Sequence, residues 1–266
     1  MLSIVFLSPL YDRLVRFYVS AYVENMRPMI EFEEVPNLTE ARALNRYFSE
    51  MLSESRRQKI EEVLSFRTKY LTIVLEDIFQ PFNASATLRT SECLGLSDVY
   101  AVENRNSYKP NAGVAKGAQK WLRIHRYQSM GEDNTTLCLR HLKESGYRIV
   151  ATSPQDGETR HSLEDLPLDR PTAVLFGAEE IGLSAIALSQ ADFHLRLPMF
   201  GFTESYNLSV TVAIVLSHLI PRVRREVEGW TLNEEEAVHL RNFLYKKTIN
   251  NGPVIEAEFL RRWRRV

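Results

Sequence analysis

The sequence predicts an α/β fold: a mostly parallel sheet with helices on both faces and helical extensions on either side of it. Two observations carry this expectation. Short β-branched runs recur at Leu71–Ile78, Val99–Val102, Arg148–Thr152, Thr172–Phe176 and Phe193–Leu197. Helical patterns separate several of them, at Ala84–Leu94, Thr135–Ser145 and Leu183–Ala191. Strand and helix in alternation imply a parallel sheet covered on both sides.

Taken in order, residues 1 to about 65 read as helices. Leu10–Val23 and Leu38–Leu64 carry apolar residues at helical spacing, broken by Pro28 and Pro36. Asn37 and Thr39, followed by Glu40, suit the start of the second helix. The divisions expected are a helical extension over residues 1–66, a core over 67–227 and a helical, basic tail over 228–266. Within the core, a long apolar helix should begin after Asn207 and run to about Ile220, where Pro221 kinks or stops it. Glu234–Lys247 reads as one more helix. The tail closes with Arg261, Arg262, Arg264 and Arg265 around Trp263. There is no internal repeat and no low-complexity linker.

Composition excludes several classes. Hydrophobic residues make up 44% and charged residues 25%, which is ordinary for a globular protein. Cys93 and Cys138, the only two cysteines, both fall in apolar-periodic stretches and read as free, buried thiols. The six histidines are scattered, and none pairs with a cysteine at ligand spacing, so no metal is expected. The opening MLSIVFLSPL has no basic residue ahead of its apolar run and no small-residue cleavage site after it, so it does not read as a signal peptide. No apolar run approaches the roughly 20 residues that span a bilayer. The expectation is a cytoplasmic protein without a membrane partner.

A net charge of −1 gives no global sign of nucleic-acid binding, but the distribution does. From Asn104 to Met130 the charged residues are Arg105, Lys109, Lys116, Lys120, Arg123 and Arg126, with no Asp or Glu among them. Tyr108, Trp121 and Tyr127 interleave. A solvated face is the plain reading of such a run, and a nucleic-acid-binding face is the functional one.

Three segments carry chemistry. PFNASATLRT, Pro81 to Thr90, follows the strand LTIVLEDI. Asn83 sits where a helix cap belongs and Arg89 on the second turn, so both could face a cleft at the carboxyl end of the sheet, where ligands of open α/β folds gather. LFGAEEIGLS, Leu175 to Ser184, ends a buried strand at Gly177, carries Glu179, turns at Gly182 and opens a helix at Ser184. LPMFGFTESYNLSV, Leu197 to Val210, passes Gly201 and places Ser205, Asn207 and Ser209 at a helix start, more small polar residues than capping alone requires.

These segments resemble the three motifs of the SpoU branch of the knotted (SPOUT) RNA 2′-O-methyltransferases: N-x-x-x-x-x-R, then F-G-x-E-x-x-G-L-S, then P-M-x-G-x-x-x-S-x-N-x-S. The order agrees, and the resemblance spans roughly residues 67–220. Within the branch, RTKYLTIVLEDIFQPFNASATLRT and NAGVAKGAQKWLRIHRY are similar to the TrmH-type enzymes that methylate a tRNA guanosine. Tyr206 departs from the family, which more often has Leu there, and should alter packing beside the adenosine.

The resemblance implies a deep C-terminal trefoil knot, an exception to the rule against threaded chains. It implies S-adenosylmethionine as cofactor, held largely by backbone groups at Thr152, Gly177, Leu197, Met199, Tyr206 and Leu208. It implies a homodimer in which Arg89 acts near the partner's cofactor, activating the ribose 2′-hydroxyl either as a base or as a cation beside the forming alkoxide. Asn83 would orient Arg89 or the ribose, Glu179 would fix the first-motif residues, and Ser205 and Asn207 would shape the site. Arg105, Lys109, Lys116, Lys120, Trp121 and Arg123 would then meet tRNA, with Trp121 available for stacking.

Rival readings are ribosomal RNA or the tRNA wobble ribose as substrate, and a catalytically silent RNA-binding homologue. The helical extension favours tRNA, because ribosomal RNA members often carry an N-terminal domain with its own β-pattern. A silent homologue should have lost Arg89, Glu179 or Asn207, and this chain keeps all three. A nucleotide-dependent enzyme of another kind would need a G-x-G-x-x-G or P-loop motif, and neither occurs.

Overall fold

The computed structural model describes residues 36–153 and 160–265; the helix expected over Leu10–Val23 lies outside them. The chain enters through helix α1 (Leu38–Glu50) and helix α2 (Glu54–Ser65). Asn37 and Glu40 close a reciprocal capping box at the start of α1, each side chain accepting the other's backbone N–H at 3.0 Å. The single helix expected over Leu38–Leu64 is two, because Ser53 starts a new one by accepting from the Arg56 N–H.

The core is a seven-stranded sheet in the order β3-β2-β1-β6-β4-β7-β5 with every paired strand parallel. Its elements in chain order are β1 (Leu71–Glu76), α3 (Pro81–Cys93), β2 (Asp98–Val102), the short α4 (Ala112–Ala115), β3 (Arg123–Tyr127), α5 (Asn134–Glu144) and β4 (Arg148–Thr152). The two-residue β5 (Arg160–His161), β6 (Thr172–Phe176), α6 (Ala185–Gln190), β7 (Phe193–Leu195) and α7 (Leu208–Glu226) follow. The strand period of two sorts the core. Leu71, Ile73 and Leu75 face one side with Leu88 of α3 and Val212, Val215, Leu216 and Leu219 of α7. Val74, Ala173 and Leu175 face the other with Cys138, Leu139 and Leu142 of α5 and Ala187 of α6.

Four expectations change. α7 does not stop at Pro221 but continues to Glu226. Pro221 sits on the exposed side, where the missing N–H is cheapest, while Leu219, Ile220 and Val223 keep the buried stripe running past it. Arg123–Tyr127, read as part of a basic run, is an edge strand. Both cysteines are free, but Cys93 is exposed rather than buried and Cys138 alone is enclosed. The two helical extensions share one core: α8 (Glu234–Thr248) and α9 (Gly252–Trp263) pack with α1 and α2 around Leu44, Phe48, Ile60, Leu240, Leu244 and Leu260. Among the described residues no helix is long and apolar enough to cross a membrane.

Candidate active site

The second and third motif segments meet at the carboxyl ends of β4 and β6, and the first joins them through Asn83 without lining the space between them. There a cleft of about 530 Å³ opens, in the range of small-molecule sites. Thr152, Gly177, Leu197, Met199, Tyr206 and Leu208 all line it, as do Glu179, Ser205 and Asn207. The walls mix apolar groups (Leu188, Leu195, Leu197) with polar ones (Ser153, Glu204, Thr211).

Local structure explains each wall. After β6 the chain doubles back so tightly that a Cβ on Gly177 would lie 2.1 Å from the Gly182 carbonyl carbon and 2.2 Å from the Leu183 nitrogen. Gly182 closes that loop at φ +68, donating its N–H to the Ala178 carbonyl at 2.8 Å. Ser184 then caps α6, its hydroxyl accepting from the Ala187 N–H. On the facing segment Asn207 caps α7, its Oδ1 accepting from the Ser209 N–H at 2.9 Å and the Ser209 hydroxyl at 2.7 Å.

One line of hydrogen bonds joins all three segments. Asn207 donates from Nδ2 to Asn83 Oδ1 at 3.1 Å, and Asn83 donates from Nδ2 to Glu179 Oε1 at 2.8 Å. Donor logic fixes every orientation in it. An ionised carboxylate only accepts, so the Asn83 amide nitrogen must face Glu179 and its oxygen must face Asn207. The Asn207 amide nitrogen is then spent on Asn83, which leaves its oxygen for the helix cap. Each amide has one orientation that satisfies both neighbours, so the line is self-consistent without any free choice.

Asn83 is not the cap expected from sequence. Gln80 occupies the N-cap and Pro81 opens α3, which frees the Asn83 side chain for this line. Arg89 lies on the third turn rather than the second and is absent from the cleft wall. Six residues along a helix turn the side chain by roughly 240°, so Arg89 cannot share the face that Asn83 offers. It is exposed and makes no hydrogen bond or ion pair within the described residues.

The basic stretch is divided. Arg105, Lys109, Lys116 and Lys120 are exposed and carry no side-chain partner within the described residues. Arg123 instead pairs with the buried Asp98 at 2.8 Å, and Arg126 grips Glu103 through two bonds of 2.7 and 2.8 Å. Trp121 is half-buried against the helical cluster of α1, α2, α8 and α9, so it is not the open stacking surface expected. The tail arginines are likewise engaged: Arg261 and Arg262 on Glu258, Arg264 on Glu40.

Sequence reasoning missed Glu76 and Asp77, the carboxylates that end β1. Both are buried; Glu76 accepts from Ser184, next to the cleft loop, and Asp77 accepts from Asn104 and Arg105 at the head of the basic stretch. Two acids closing an apolar strand run were the available signal.

Fold and cleft together describe an α/β protein with a small-molecule-sized site at its strand ends, and a family model supplies the class. The model described as the SpoU rRNA Methylase family matches residues 70–217, more than half of the chain. The chain belongs to this family. It is 43% identical over 208 residues to the tRNA (guanosine(18)-2′-O)-methyltransferase of Borreliella burgdorferi, covering 78% of this chain and 92% of that one. It is 36% identical over 164 residues to the protein of the same name from Thermus thermophilus, covering 62% and 81%. In structure it is similar to the A. aeolicus TrmH/SpoU tRNA modifying enzyme, with a TM-score of 0.63 and 28% identity over 74% of this chain and 98% of that one.

Proposed function

We propose that this protein transfers a methyl group from S-adenosylmethionine to a ribose 2′-oxygen of tRNA, at a D-loop guanosine as in the relatives named above. The observation that carries the reading is the Glu179–Asn83–Asn207 line, which binds the three motifs into one cleft. The choice of tRNA rests on the Borreliella relative. The similarity covers 208 residues, against the 148 of the family match (70 through 217), so it takes in flanking helices as well as the core.

The cleft suits the donor. The tight loop that Gly177 allows sets one wall of the cleft, and the apolar side chains of Leu195 and Leu197 on its lining offer a surface for a flat ring. When bound, S-adenosylmethionine supplies a sulfonium methyl that a nucleophilic oxygen can take. Thr152, Gly177, Leu197, Met199, Tyr206 and Leu208 would hold it, and Ser205 faces the same space.

Arg89 is the residue for the acceptor. A guanidinium stays protonated in proteins, so its role is to stabilise the developing alkoxide while a phosphate oxygen takes the proton. Holding oxygen and methyl in line supplies much of the rate, roughly 7–11 kcal/mol of barrier in well-oriented systems. Because Arg89 lies off its own cleft, we assign it to the cleft of a partner subunit. Phe79, Phe82, Phe200 and Phe202 support such a homodimer: all four are exposed around the site, Phe200 at 97% and Phe202 at 109%. Apolar surface of this kind marks an interface. The unpaired cations Arg105, Lys109, Lys116 and Lys120 are the RNA-facing set. A trefoil knot in the C-terminal part of the core is supported by the family resemblance, with the Gly177–Leu183 and Leu197–Leu208 segments lining one cleft. A tRNA enzyme of this kind would work in the cytoplasm, without a metal ion.

Methyl transfer to bulk tRNA followed by nucleoside mapping tests the reading. The expected product is 2′-O-methylguanosine in the D-loop. Methylation of ribosomal RNA alone, or of the wobble ribose, would overturn the substrate assignment.

A further inference from the structure

Glu76 and Asp77 are adjacent, buried at 3% and 6% exposure, and turned to different segments. Glu76 is the last residue of β1. Its Oε2 accepts the Ser184 N–H at 2.8 Å and its Oε1 accepts the Ser184 hydroxyl at 2.7 Å and the Thr135 hydroxyl. Ser184 directly follows Leu183, the last residue of the tight loop that lines the cleft. Glu76 therefore ties down the downstream end of the donor-side loop.

Asp77 does the corresponding work on the other side. It sits at φ +54, a left-handed conformation that Asp tolerates better than most residues. Its Oδ1 accepts three successive backbone N–H groups, from Asn104, Arg105 and Asn106, at 2.7, 2.8 and 3.2 Å. Asn106 returns a bond from Nδ2 to the Asp77 carbonyl at 2.9 Å. A run of consecutive N–H groups makes a concave anion-binding turn, and here the chain fills that turn with its own carboxylate. The turn opens the segment that presents Arg105, Lys109, Lys116 and Lys120. Thr135 links the two systems, accepting from Asn104 Nδ2 at 2.9 Å while donating to Glu76.

We propose that Glu76 and Asp77 are the positioning pair of this enzyme: Glu76 sets the loop that receives the methyl donor, and Asp77 sets the basic turn that receives RNA. The pairing rests on the methyltransferase reading above. Its physical basis is that a buried carboxylate with two or three converging donors holds them through charge-assisted bonds. Glu76 accepts through both oxygens and Asp77 through Oδ1 alone, so removing the oxygens that accept loosens one loop and leaves the neighbour's own bonds in place.

Direct binding separates the two roles without relying on turnover. Calorimetric titration with S-adenosylhomocysteine reports the donor side, and filter binding of a tRNA transcript reports the RNA side. Glu76→Gln should weaken S-adenosylhomocysteine about tenfold and tRNA less than about twofold. Asp77→Gly, which keeps the left-handed backbone unstrained, should do the reverse. Asp77→Asn, which retains the acceptor oxygen, should recover most of the tRNA affinity. If a carboxylate variant fails to fold, Ser184→Ala on the donor side and Asn106→Ala on the RNA side should show the same split at about threefold. Variants that weaken both ligands alike, or neither, would overturn the pairing while leaving the methyltransferase reading in place. A wild-type protein that binds neither ligand would overturn both.

Discussion

In the cleft, residues far apart in the chain are drawn into one line of hydrogen bonds; in the basic stretch Asn104–Met130, residues close together are sent to different tasks. Asn83, Glu179 and Asn207 come from three segments, and each needs the next to satisfy its donors and acceptors. Arg105, Lys109, Lys116 and Lys120 remain exposed, whereas Arg123 and Arg126 are spent on Asp98 and Glu103 and Trp121 on a helical core. A motif whose members must satisfy one another survives folding as a unit. A charge run has no such internal requirement, so whichever acidic groups lie nearby divide it.

The largest expected effect tests whether Arg89 belongs to the cleft at all. Arg89→Ala should reduce kcat by about a thousandfold or more, as for the loss of a group stabilising a developing oxyanion. Calorimetric affinity for S-adenosylhomocysteine should stay near wild type. Mixing this variant with one disabled in the cleft should restore roughly a quarter of wild-type activity if Arg89 serves its partner, since half the dimers are mixed and each carries one intact site. Mixtures without activity would place Arg89 in its own cleft.

Next comes the line itself. Asn83→Asp sets a second carboxylate against Glu179 and removes the only donor between them. Its kcat should fall further than that of Asn83→Ala, which is expected to lose about 10- to 100-fold. Equal losses would mean that the orientation of this amide does not matter.

The basic stretch should show two distinct signatures. Ala at Lys109, Lys116 or Lys120 should raise the KM for tRNA and lower the salt slope of binding by about one per lysine, with thermal stability unchanged. Arg123→Ala should leave the salt slope alone and lower stability by roughly 1–3 kcal/mol, because the buried Asp98 loses a partner. A salt-slope change at Arg123 would return it to the RNA face.

The smallest effect is on acid stability. Burial pushes the Asp98 carboxyl pKa up, but Arg123 and His125 outweigh it and hold the group well below the usual carboxylate range. A carboxyl with a depressed folded-state pKa contributes stability above its unfolded value, near 3.9, and loses it as pH falls through the folded value. Denaturant titrations from pH 5 down to pH 2 should therefore show a stability loss below about pH 4 that is shallower in Asp98→Asn. Identical slopes would remove Asp98 from the acid response.

The strands Arg148–Thr152 and Thr172–Phe176 were legible to the residue, because a parallel strand buried on both faces is written in β-branched residues. The helix start at Asn37 was legible because a cap is a local signal, although the sequence offered Thr39 beside it and the reciprocal box with Glu40 is seen only in the structure. Part of the cleft wall, Thr152, Gly177, Glu179, Leu197, Met199 and Ser205–Leu208, was named from motif resemblance, whereas Leu188, Leu195 and Thr211 lie outside the three segments and were not. β3 was hidden because its alternation, Arg123-Ile124-His125-Arg126-Tyr127, is that of an edge strand whose polar residues find partners across the sheet.

By itself the sequence determined the α/β class, the parallel sheet and the residues that would gather at its strand ends, since these follow from local period and from motifs that span a few residues each. Only the tertiary structure decided which cations of the basic stretch stay exposed, that the two helical extensions share a core, and that Glu76 and Asp77 face different loops. Those outcomes depend on which groups meet across the fold: Arg123 is bound because Asp98 is buried beside it, and Arg89 has no ion-pair partner among the described residues. The chain writes the charge of a residue, but its partner is supplied by another element.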